Sequence, residues 1–356
     1  MDKNNKYLYK DKPIFGLDIG FSSVKVMQLE KTSPKTRRIV GYGIGSFDSK
    51  AVKDGVVVDY ESLASSIKEM FQKNIIGEIT TKRVALSIPA ILTYTHSLTL
   101  PPIKDNELKE AVALESEQYI PVPSQDLYLD YEIVNRTSKN IEILVVAVPR
   151  KIADSYMALV DMLGLEAISF DTSISSSGRL FKTLESNNDI PSVLIDFGSI
   201  SADITIFDKT NIVSGTIPAG GDTFTNIIAK KLGVSIQEAH VIKTKYGISK
   251  SKKQAEILEI MQPELDQLVR EVKRMMRYYA ERTESKGKIG QVITMGGGAN
   301  MPGLSDHLTN VLRLPVRTYD PWQSLDLHKL QAPTQDEKSV YATVAGLCLI
   351  EPSELF

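Results

Sequence analysis

The pattern of apolar and polar positions predicts a chain of mixed α/β structure. In IFGLDIGFSSVKVMQLE, near the N-terminus, runs of residues that favour strands flank a glycine turn. A helical stripe follows, formed by Leu63, Ile67, Met70 and Phe71. Apolar residues at helical spacing also run from about Lys253 to Glu281, which predicts one long amphipathic helix. Strands interleaved with helices favour sheets that are covered by helices.

The middle of the first half predicts a compact inserted unit. KRVALSIP is predicted as a strand, and NELKEAVALESEQYI as a helix that Asp105 or Asn106 caps and the proline-rich IPVPSQ ends. DLYLDYEIV and IEILVVAVP follow as two strands that a polar turn joins. The order strand, helix, strand, strand predicts a unit at residues 79–149.

Two segments half a chain apart share one order of residue types. FGLDIGFSSVKVMQLE and VLIDFGSISADITIF both read apolar strand, aspartate, apolar residue, glycine, small polar turn and second strand. The two aspartates are Asp18 and Asp196. This approximate duplication predicts two similar α/β lobes that face one another.

The first of these turns carries residue types that suit a phosphate. Gly20 leaves room for backbone amides, Ser22 and Ser23 add hydroxyl donors, and Lys25 can reach a phosphate as a point charge. Asp18 suits Mg²⁺ held through water. Taken alone, however, this segment is better explained as an ordinary β-turn with Asp and Gly in turn positions.

The second turn repeats the same chemistry. Asp196 and Gly198 open it, and Ser199 and Ser201 can donate to a γ-phosphate. Asp196 is a candidate for binding Mg²⁺ or orienting a water. Two such turns from facing lobes would clamp one polyphosphate. The pair of turns is therefore a much more specific indication of a nucleotide site than either turn alone.

Two glycine-rich segments extend the candidate site. The first is the triplet Gly296, Gly297 and Gly298. It lies between an apolar strand and a Pro-Gly helix entry, so we predict an ordered βα turn close to a purine or ribose, not a flexible linker. In the second, Gly220 and Gly221 precede a helix that starts near Asp222. The positive end of that helix could meet phosphate, although a plain capped helix is equally natural.

Composition narrows the classes of function. The net charge is −2 at pH 7, so the overall charge gives no indication of nucleic-acid binding. The single cysteine, Cys348, excludes a disulfide within the chain and fits a reducing compartment. The sequence has no GxxxxGK[ST] P-loop and no GxSxG nucleophile motif, and its four histidines show no metal-ligand spacing.

We expect the chain to reach a membrane only through a partner. Residues 1–12 are polar and are expected to form a mobile tail without a signal peptide. The longest apolar runs are too short to cross a bilayer, and the terminal EPSELF shows no basic amphipathic helix. The expected location is the cytoplasm, at the inner face of the cell membrane.

The motifs resemble those of the actin, sugar kinase and heat-shock ATPase superfamily. DIGFSSVK resembles its first phosphate loop, DFGSIS its second and MGGGANMPG its adenosine loop, in matching order over nearly the whole chain. Within it, ESEQYIPVPSQDLYLDYEIV, IPAGGDTFTNIIAKKLGVS and YATVAGLCL resemble the PilM family of type IV pilus assembly proteins, with the division protein FtsA next.

This resemblance implies a two-lobed actin-like ATPase fold with a nucleotide cleft and an inserted SHS2-like subdomain, 1C. Subdomain 1A would comprise residues 13–78 and 150–190, and 1C would comprise 79–149. Subdomain 2A would comprise 191–223 and 290–356, and 2B would comprise 224–289.

The resemblance also implies ATP and Mg²⁺ as cofactors. Asp18 and Asp196 would flank the metal and are the candidate catalytic residues. The implied contacts to the β- and γ-phosphates come from Gly20, Ser22, Ser23 and Lys25, and on the other side from Gly198, Ser199 and Ser201. The implied contacts further along the nucleotide are Gly220 and Gly221 with phosphates and ribose, Gly296, Gly297 and Gly298 with adenine, and Lys243 near the nucleoside.

The sequence departs from the family at the ribose. Relatives usually have a glutamate where this chain has His240, and Glu238 lies two residues earlier. Affinity or base preference is therefore open. Asp171 matches a frequent family aspartate near the cleft, for which a water-activating role is conceivable.

The function that the resemblance implies is an ATP-binding scaffold of pilus assembly with weak or no ATPase activity. Its partner would be the cytoplasmic N-terminal peptide of the membrane protein PilN, held in a groove between subdomains 1A and 1C, alongside other inner-membrane components of the pilus machine. An FtsA-like division protein, a small-molecule kinase and a polymer-forming shape protein are the alternatives. The first predicts a C-terminal amphipathic helix, the second a substrate loop, and the third a different subdomain in place of 1C.

Overall fold

The computed structural model describes residues 12–33, 36–282 and 288–351. The predicted mobile tail lies outside these residues except for Lys12, and so do the last five residues of the C-terminal EPSELF. The chain is of mixed α/β structure, as predicted, and divides into two compact units. Unit 1 comprises Met1–Pro89, Lys151–Glu185 and Pro321–Phe356, and unit 2 comprises Ala90–Arg150 and Ser186–Asp320.

The strands are short and are distributed along the whole chain. In chain order they are β1 (Phe15–Ile19), β2 (Ser23–Lys31), β3 (Arg37–Ser46), β4 (Val52–Lys53), β5 (Val56–Val57), β6 (Ile75–Gly77), β7 (Arg83–Ile88), β8 (Tyr94–Leu100), β9 (Leu127–Arg136), β10 (Ile141–Pro149), β11 (Glu166–Thr172), β12 (Ser192–Phe197), β13 (Ala202–Asp208), β14 (Thr210–Ile217), β15 (Gln291–Met295), β16 (Val316–Thr318) and β17 (Leu325–Asp326).

Most of the α-helices lie between these strands in the chain, and the last two follow the final strand. In chain order they are α1 (Tyr60–Lys73), α2 (Asp105–Ser116), α3 (Arg150–Met162), α4 (Ser173–Leu184), α5 (Gly221–Leu232), α6 (Ile236–Lys245), α7 (Gln254–Arg282), α8 (Leu304–Leu312), α9 (Gln335–Lys338) and α10 (Ala342–Leu347). Within the described ranges, no helix is both long enough and apolar enough to cross a membrane.

Unit 1 is built on a sheet with the strand order β11-β7-β1-β2-β3-β17, and β6 also pairs with β3. Strands β11, β7 and β1 run parallel, so their carboxyl ends lie at one edge of the sheet. Every residue of β1 and of β7 is buried, as expected for strands covered on both faces. Helix α10 packs so closely on β1 that a Cβ on Gly16 would lie 2.6 Å from the carbonyl oxygen of Val344.

Unit 2 contains a larger sheet with the strand order β14-β13-β12-β15-β16. The long helix predicted at 253–281 is α7, and its predicted apolar stripe is buried in the core of this unit. The stripe consists of Ile257, Met261, Leu265, Leu268, Val272, Met275 and Tyr279. A helix with such a stripe gains its stability from burying that face against a sheet and its neighbouring helices.

Unit 2 also contains a small sheet with the strand order β8-β10-β9, covered by α2. The order strand, helix, strand, strand is confirmed, but its first strand is β8. The predicted KRVALSIP strand is β7, which pairs with β1 and β11 in the sheet of unit 1. The sequence pattern did not reveal β8, because its segment YTHSLTL is largely polar. The subdomain boundaries themselves remain a prediction.

The predicted cap of α2 is wrong. Lys104 is the N-cap residue, and its side chain makes no capping hydrogen bond. Asp105 is instead the first residue of the helix, and its carboxylate pairs with Arg136 at 2.6 Å. A negative charge in the first turn still stabilises the positive end of the helix.

Candidate functional site

The first glycine turn joins β1 to β2 in unit 1. The amide of Gly20 donates to the carbonyl oxygen of Ser23 at 2.9 Å and so closes the turn. Asp18 stands opposite Lys25 in the antiparallel register of the two strands. Opposed residues of an antiparallel pair project from the same face of a sheet, so these two side chains meet.

The carboxylate of Asp18 is held from two sides. Lys25 Nζ lies 2.9 Å from Asp18 Oδ2, and Ser87 Oγ donates to Asp18 Oδ1. The side chains of Asp18 and Lys25 are 12% and 13% exposed, so the ion pair is largely shielded from water. The charge of this carboxylate also influences the hydroxyl of Tyr156. Burial raises the pKa of Tyr156, and the negative charge of Asp18 raises it further. An ammonium group has more N–H donors than this ion pair uses, so Lys25 is able to contact a phosphate as well.

The second glycine turn joins β12 to β13 in unit 2 and repeats this geometry. The amide of Gly198 donates to the carbonyl oxygen of Ser201 at 2.9 Å, as Gly20 does to Ser23 in the first turn. Ser201 is buried and Ser199 half-buried, whereas Gly198 is exposed. The duplication in the sequence is thus a duplication of structure, with an aspartate, a glycine and a serine at equivalent places.

Asp203 takes the place in the second turn that Lys25 takes in the first. It stands opposite Asp196 in the register of β12 and β13. Asp203 is 9% exposed and accepts a hydrogen bond from Thr216 Oγ1 at 2.8 Å. The spacing of the residues in the sequence could have identified Asp203. Asp203 lies seven residues after Asp196, as Lys25 does after Asp18.

The carboxylates of these turns fit a magnesium ion that arrives with a nucleotide. Opposed carboxylates repel one another, and a divalent cation relieves that repulsion. Mg²⁺ in nucleotide sites is usually held by one or two carboxylates together with phosphate oxygens and water. In the part of the chain that the structure describes, no group of three or more His, Cys, Asp or Glu side chains is placed to hold a metal. These carboxylates therefore suit an ion that is also bound by the phosphates of a nucleotide better than an ion bound by protein side chains alone.

The start of α5 packs against the second turn. The amide of Gly221 donates to the carbonyl oxygen of Gly198 at 2.9 Å, and that of Asp222 donates to Ser199 at 2.6 Å. A Cβ on Gly220 would collide with the carbonyl group of Ser199. These first amides of the helix therefore hold the turn in place, and contact of Gly220 and Gly221 with phosphate or ribose remains a prediction.

Lys243 extends this network from α6. Its Nζ donates to the carbonyl oxygen of Gly221 at 2.7 Å, and the residue is 8% exposed. Burial lowers the pKa of Lys243, and the nearby negative charge of Asp222 partly opposes that change. The lysine thus ties α6 to the start of α5, directly behind the second turn.

The residues around the predicted ribose contact have other partners. Glu238 caps α6, where its carboxylate accepts from the amide and hydroxyl of Ser235 at 2.9 and 2.8 Å. These hydrogen bonds lower the pKa of Glu238. His240 is exposed on the same helix, and its carbonyl oxygen accepts from Thr244 Oγ1 at 2.9 Å. Glu238 therefore serves as part of the helix cap in this structure.

The glycine triplet after β15 is an ordered turn, as predicted. Gly296 has φ +78°, a left-handed conformation that favours glycine, and Gly297 and Gly298 begin a short 3₁₀ turn. A Cβ on Gly296 would collide with Asp196 Oδ1, and one on Gly298 would lie 2.7 Å from Phe197 Cβ. The triplet therefore packs against the strand that carries Asp196, and its contact with adenine remains a prediction.

Asp171 lies at the end of β11 in unit 1 and is engaged in an ion pair. Arg179 Nη1 lies 2.6 Å from Asp171 Oδ2, and both side chains are largely buried. The amide of Thr172 donates to Asp171 Oδ1 at 2.9 Å. A carboxylate held in this way is a poor general base, since its paired charge favours the ionised form.

A pocket of about 420 Å³ lies beside the proline-rich turn that follows α2 in unit 2. Its lining residues are Glu117, Ile120, Pro121, Val122, Pro123, Ser124 and Gln125. Exposed tyrosines lie on either side of this turn in sequence. Tyr119 stacks on His96 with ring centroids 4.2 Å apart, and the guanidinium of Arg150 lies 4.1 Å from the ring centre of Tyr128. The pocket thus combines apolar residues with polar ones, and aromatic side chains near such a pocket make it a candidate for binding a peptide.

The sequence profile of one protein family accounts for nearly the whole chain. That family is described as Type IV pilus assembly protein PilM, and its profile matches residues 16–351. The chain belongs to this family. The predicted resemblance to PilM proteins is therefore confirmed.

This PilM-family chain is also similar to curated cell division proteins named FtsA. The Pseudomonas aeruginosa PAO1 protein is 25% identical in an alignment of 387 positions that covers 95% of this chain and 89% of that protein. The Streptococcus pneumoniae D39 protein is 23% identical over 349 residues, which cover 86% of this chain and 75% of that protein. The relation to FtsA that the sequence predicted is thus confirmed and supports the SHS2-like nature of the small sheet with α2.

Solved structures confirm the predicted fold. A PilM–PilN type IV pilus biogenesis complex matches with a TM-score of 0.81 and 20% identity, covering 94% of this chain and 97% of that chain. MreB5 of Spiroplasma citri bound to AMPPNP matches with a TM-score of 0.55 and 13% identity, covering 96% and 97%. The PilM-family chain therefore has the actin-like ATPase fold.

Proposed function

We propose that this PilM-family protein binds ATP with Mg²⁺ and serves as a cytoplasmic scaffold of type IV pilus assembly. The observation that carries the proposal is the repeated glycine turn, which places an aspartate, a glycine amide and a serine at equivalent positions in each unit. Small turns rich in backbone amides and hydroxyls suit phosphate oxygens, and the adjacent carboxylates suit the accompanying cation.

Each turn would contribute its own share of the contacts. The β- and γ-phosphates would be bound by Gly20, Ser22, Ser23 and Lys25 of the first turn and by Gly198, Ser199 and Ser201 of the second. Gly220, Gly221 and Lys243 would support the phosphates and nucleoside, and Gly296, Gly297 and Gly298 would border adenine. Asp18 and Asp196 would hold Mg²⁺ directly or through water, with Asp203 beside Asp196. The bound ion would neutralise phosphate charge.

We expect weak or no hydrolysis of the bound nucleotide. Phosphoryl transfer to water is accelerated by a residue that positions or deprotonates the attacking water. Asp18 is paired with Lys25 and Asp171 with Arg179, so neither is well suited to accept a proton. Nucleotide would thus act mainly as a ligand that stabilises one state of the protein.

The partner we propose is the cytoplasmic N-terminal tail of an inner-membrane protein of the PilN kind. Two observations support this partner. One is the shared fold with the protein of the PilM–PilN complex, and the other is the pocket at the proline-rich turn with its flanking tyrosines. Binding of such a tail would bring the protein to the inner face of the cell membrane, where other pilus components assemble.

Nucleotide binding is tested with a fluorescent ATP analogue, titrated with and without Mg²⁺. We expect Mg²⁺ to strengthen binding, and Asp196→Ala to weaken binding in Mg²⁺ by about tenfold or more, since it removes a carboxylate proposed to hold the ion. Asp306→Ala, which removes an exposed aspartate of α8 in the same unit, is the matched control and should leave affinity unchanged. Equal affinities for the two variants would contradict the proposed site.

A division role is a second candidate, favoured by the similarity to FtsA over 95% of this chain. It makes a different prediction for the partner, because division proteins would be recovered with the chain in place of a pilus membrane protein. Recovery of division proteins alone would replace the pilus proposal.

A further inference from the structure

Three neighbouring strands of unit 1 carry polar residues in one row. Asp18 on β1 is in register with Ser87 on β7, and Ser87 is in register with Asp171 on β11. All three lie toward the carboxyl ends of parallel strands, the edge at which open α/β sheets bind ligands. The row places Ser87 between two carboxylates, so the hydrogen bonds decide which of them it serves.

The hydrogen bonds assign Ser87 to Asp18. Ser87 Oγ donates to Asp18 Oδ1, whereas Asp171 is already engaged by Arg179 at 2.6 Å and by the amide of Thr172 at 2.9 Å. Lys25 Nζ holds the other oxygen of Asp18 at 2.9 Å. The two donors on opposite oxygens fix the plane of the Asp18 carboxylate.

The surroundings of Ser87 show why this hydroxyl matters. Ser87 is completely buried, in a strand whose six residues are all buried. A hydroxyl in such a strand costs free energy unless it makes a hydrogen bond, and here its acceptor is Asp18. The same bond supplies a donor to a carboxylate that is only 12% exposed. Each oxygen of Asp18 keeps lone pairs that these two donors do not use. The fixed plane of the carboxylate sets the direction of those lone pairs.

We propose that Ser87 is a positioning residue that orients the Asp18 carboxylate toward magnesium-bound water. This inference rests on the proposed function, in which Asp18 serves a Mg²⁺–nucleotide complex. Residues that hold a metal-binding group in place from behind change metal affinity when they are replaced, because the group is then free to turn away. Ser87 should therefore control the Mg²⁺-dependent part of nucleotide affinity and not the nucleotide affinity as a whole.

The test measures the Mg²⁺ enhancement, defined as the ratio of the ATP-analogue Kd in excess EDTA to the Kd in Mg²⁺. Ser87→Ala removes the donor and is expected to lower this ratio by about tenfold or more, with the Kd in EDTA unchanged. Ser155→Ala is the matched control. Ser155 is also buried in unit 1, but its hydroxyl bonds to backbone groups of Ile152 and Val57 and to none of the three residues of the row. This control should keep the wild-type ratio.

Ser87→Cys keeps the test decisive if Ser87→Ala does not fold. A thiol has nearly the same shape but is a weak donor, so it should also lower the ratio. A folded variant that keeps the wild-type ratio, or one that weakens binding equally with and without Mg²⁺, would overturn the positioning role. If the wild-type protein binds no nucleotide in either condition, the proposed function itself fails and the inference falls with it. A lower ratio in the Ser87 variants alone would support both.

Discussion

Lys25 and Asp203 occupy equivalent positions of the two repeated turns and give the turns different electrostatic character. In the first turn Lys25 pairs with Asp18 at 2.9 Å, so the pair is neutral. In the second turn Asp203 stands opposite Asp196, so two carboxylates share one face of a strand pair. In the proposed site, Lys25 would add a positive charge for phosphate oxygens to the first turn, and Asp203 would add a second carboxylate for the metal ion beside Asp196.

Lys25→Met tests how far the first turn depends on its ion pair. The change leaves a carboxylate that is 12% exposed without its cation, so we expect the free energy of unfolding in urea to fall by about 2–3 kcal/mol. Lys73→Met is the control, because the Lys73–Glu69 pair on α1 is 66% and 62% exposed. Its loss should change the free energy of unfolding much less, because exposed ion pairs are screened by water and salt. Equal losses in both variants would show that burial of the Asp18 pair adds nothing.

The limits of sequence-based prediction are clearest at the residue scale in the glycines. Gly220 and Gly296 were predicted to approach a ligand, and the structure shows both packed against the second turn. That close approach depends on the pairing of β12 with β15 and on the position of α5, which are long-range features. A single sequence identifies where glycine is needed but not which neighbour requires it.

At the scale of elements, strongly periodic segments could be predicted and polar strands could not. The stripe of α7 is regular over seven apolar residues, and all of them are buried. Strand β8 contains Thr95, His96, Ser97 and Thr99, so only its end, where Leu98 and Leu100 flank Thr99, shows apolar and polar residues in alternation, and that stretch is too short to predict a strand. Its place in the small sheet is fixed by pairing with β10, which only the tertiary structure reveals.

Val122→Arg tests the pocket beside the proline-rich turn. An arginine in this lining position would place a long charged side chain in the pocket and obstruct a bound peptide, so affinity for a PilN-type tail peptide should fall by about tenfold or more. Val311→Arg, at an exposed valine of α8, is the control. Because Val122 packs on the buried cluster of Ile120, Leu127 and Ala147, the melting temperature of Val122→Arg should fall, and peptide binding is measured at a temperature at which both variants are folded. Unchanged peptide binding by a folded Val122→Arg protein would remove the pocket from the proposed interface.

At the scale of the whole molecule, each compact unit contains one copy of the repeated turn. In each unit the turn follows the carboxyl end of a central strand of the sheet. Family membership and the actin-like ATPase fold could be anticipated from the order of the motifs. DIGFSSVK, DFGSIS and MGGGANMPG follow one another along the chain in the order that the resemblance to the superfamily requires. Nucleotide would influence partner binding only if it favours a state that binds the tail differently. We therefore expect binding of the tail and binding of Mg-ATP to be thermodynamically linked in this protein.

The most direct measurement is a pull-down from detergent-solubilised host membranes, with wild-type protein and Asp196→Ala as baits in the presence of Mg-ATP. We expect the wild-type protein to recover a single-span pilus protein through its cytoplasmic tail. We expect Asp196→Ala to recover much less of it. Equal recovery by both baits would contradict the link to nucleotide. Recovery of division proteins, or of no membrane partner, would contradict the scaffold function itself.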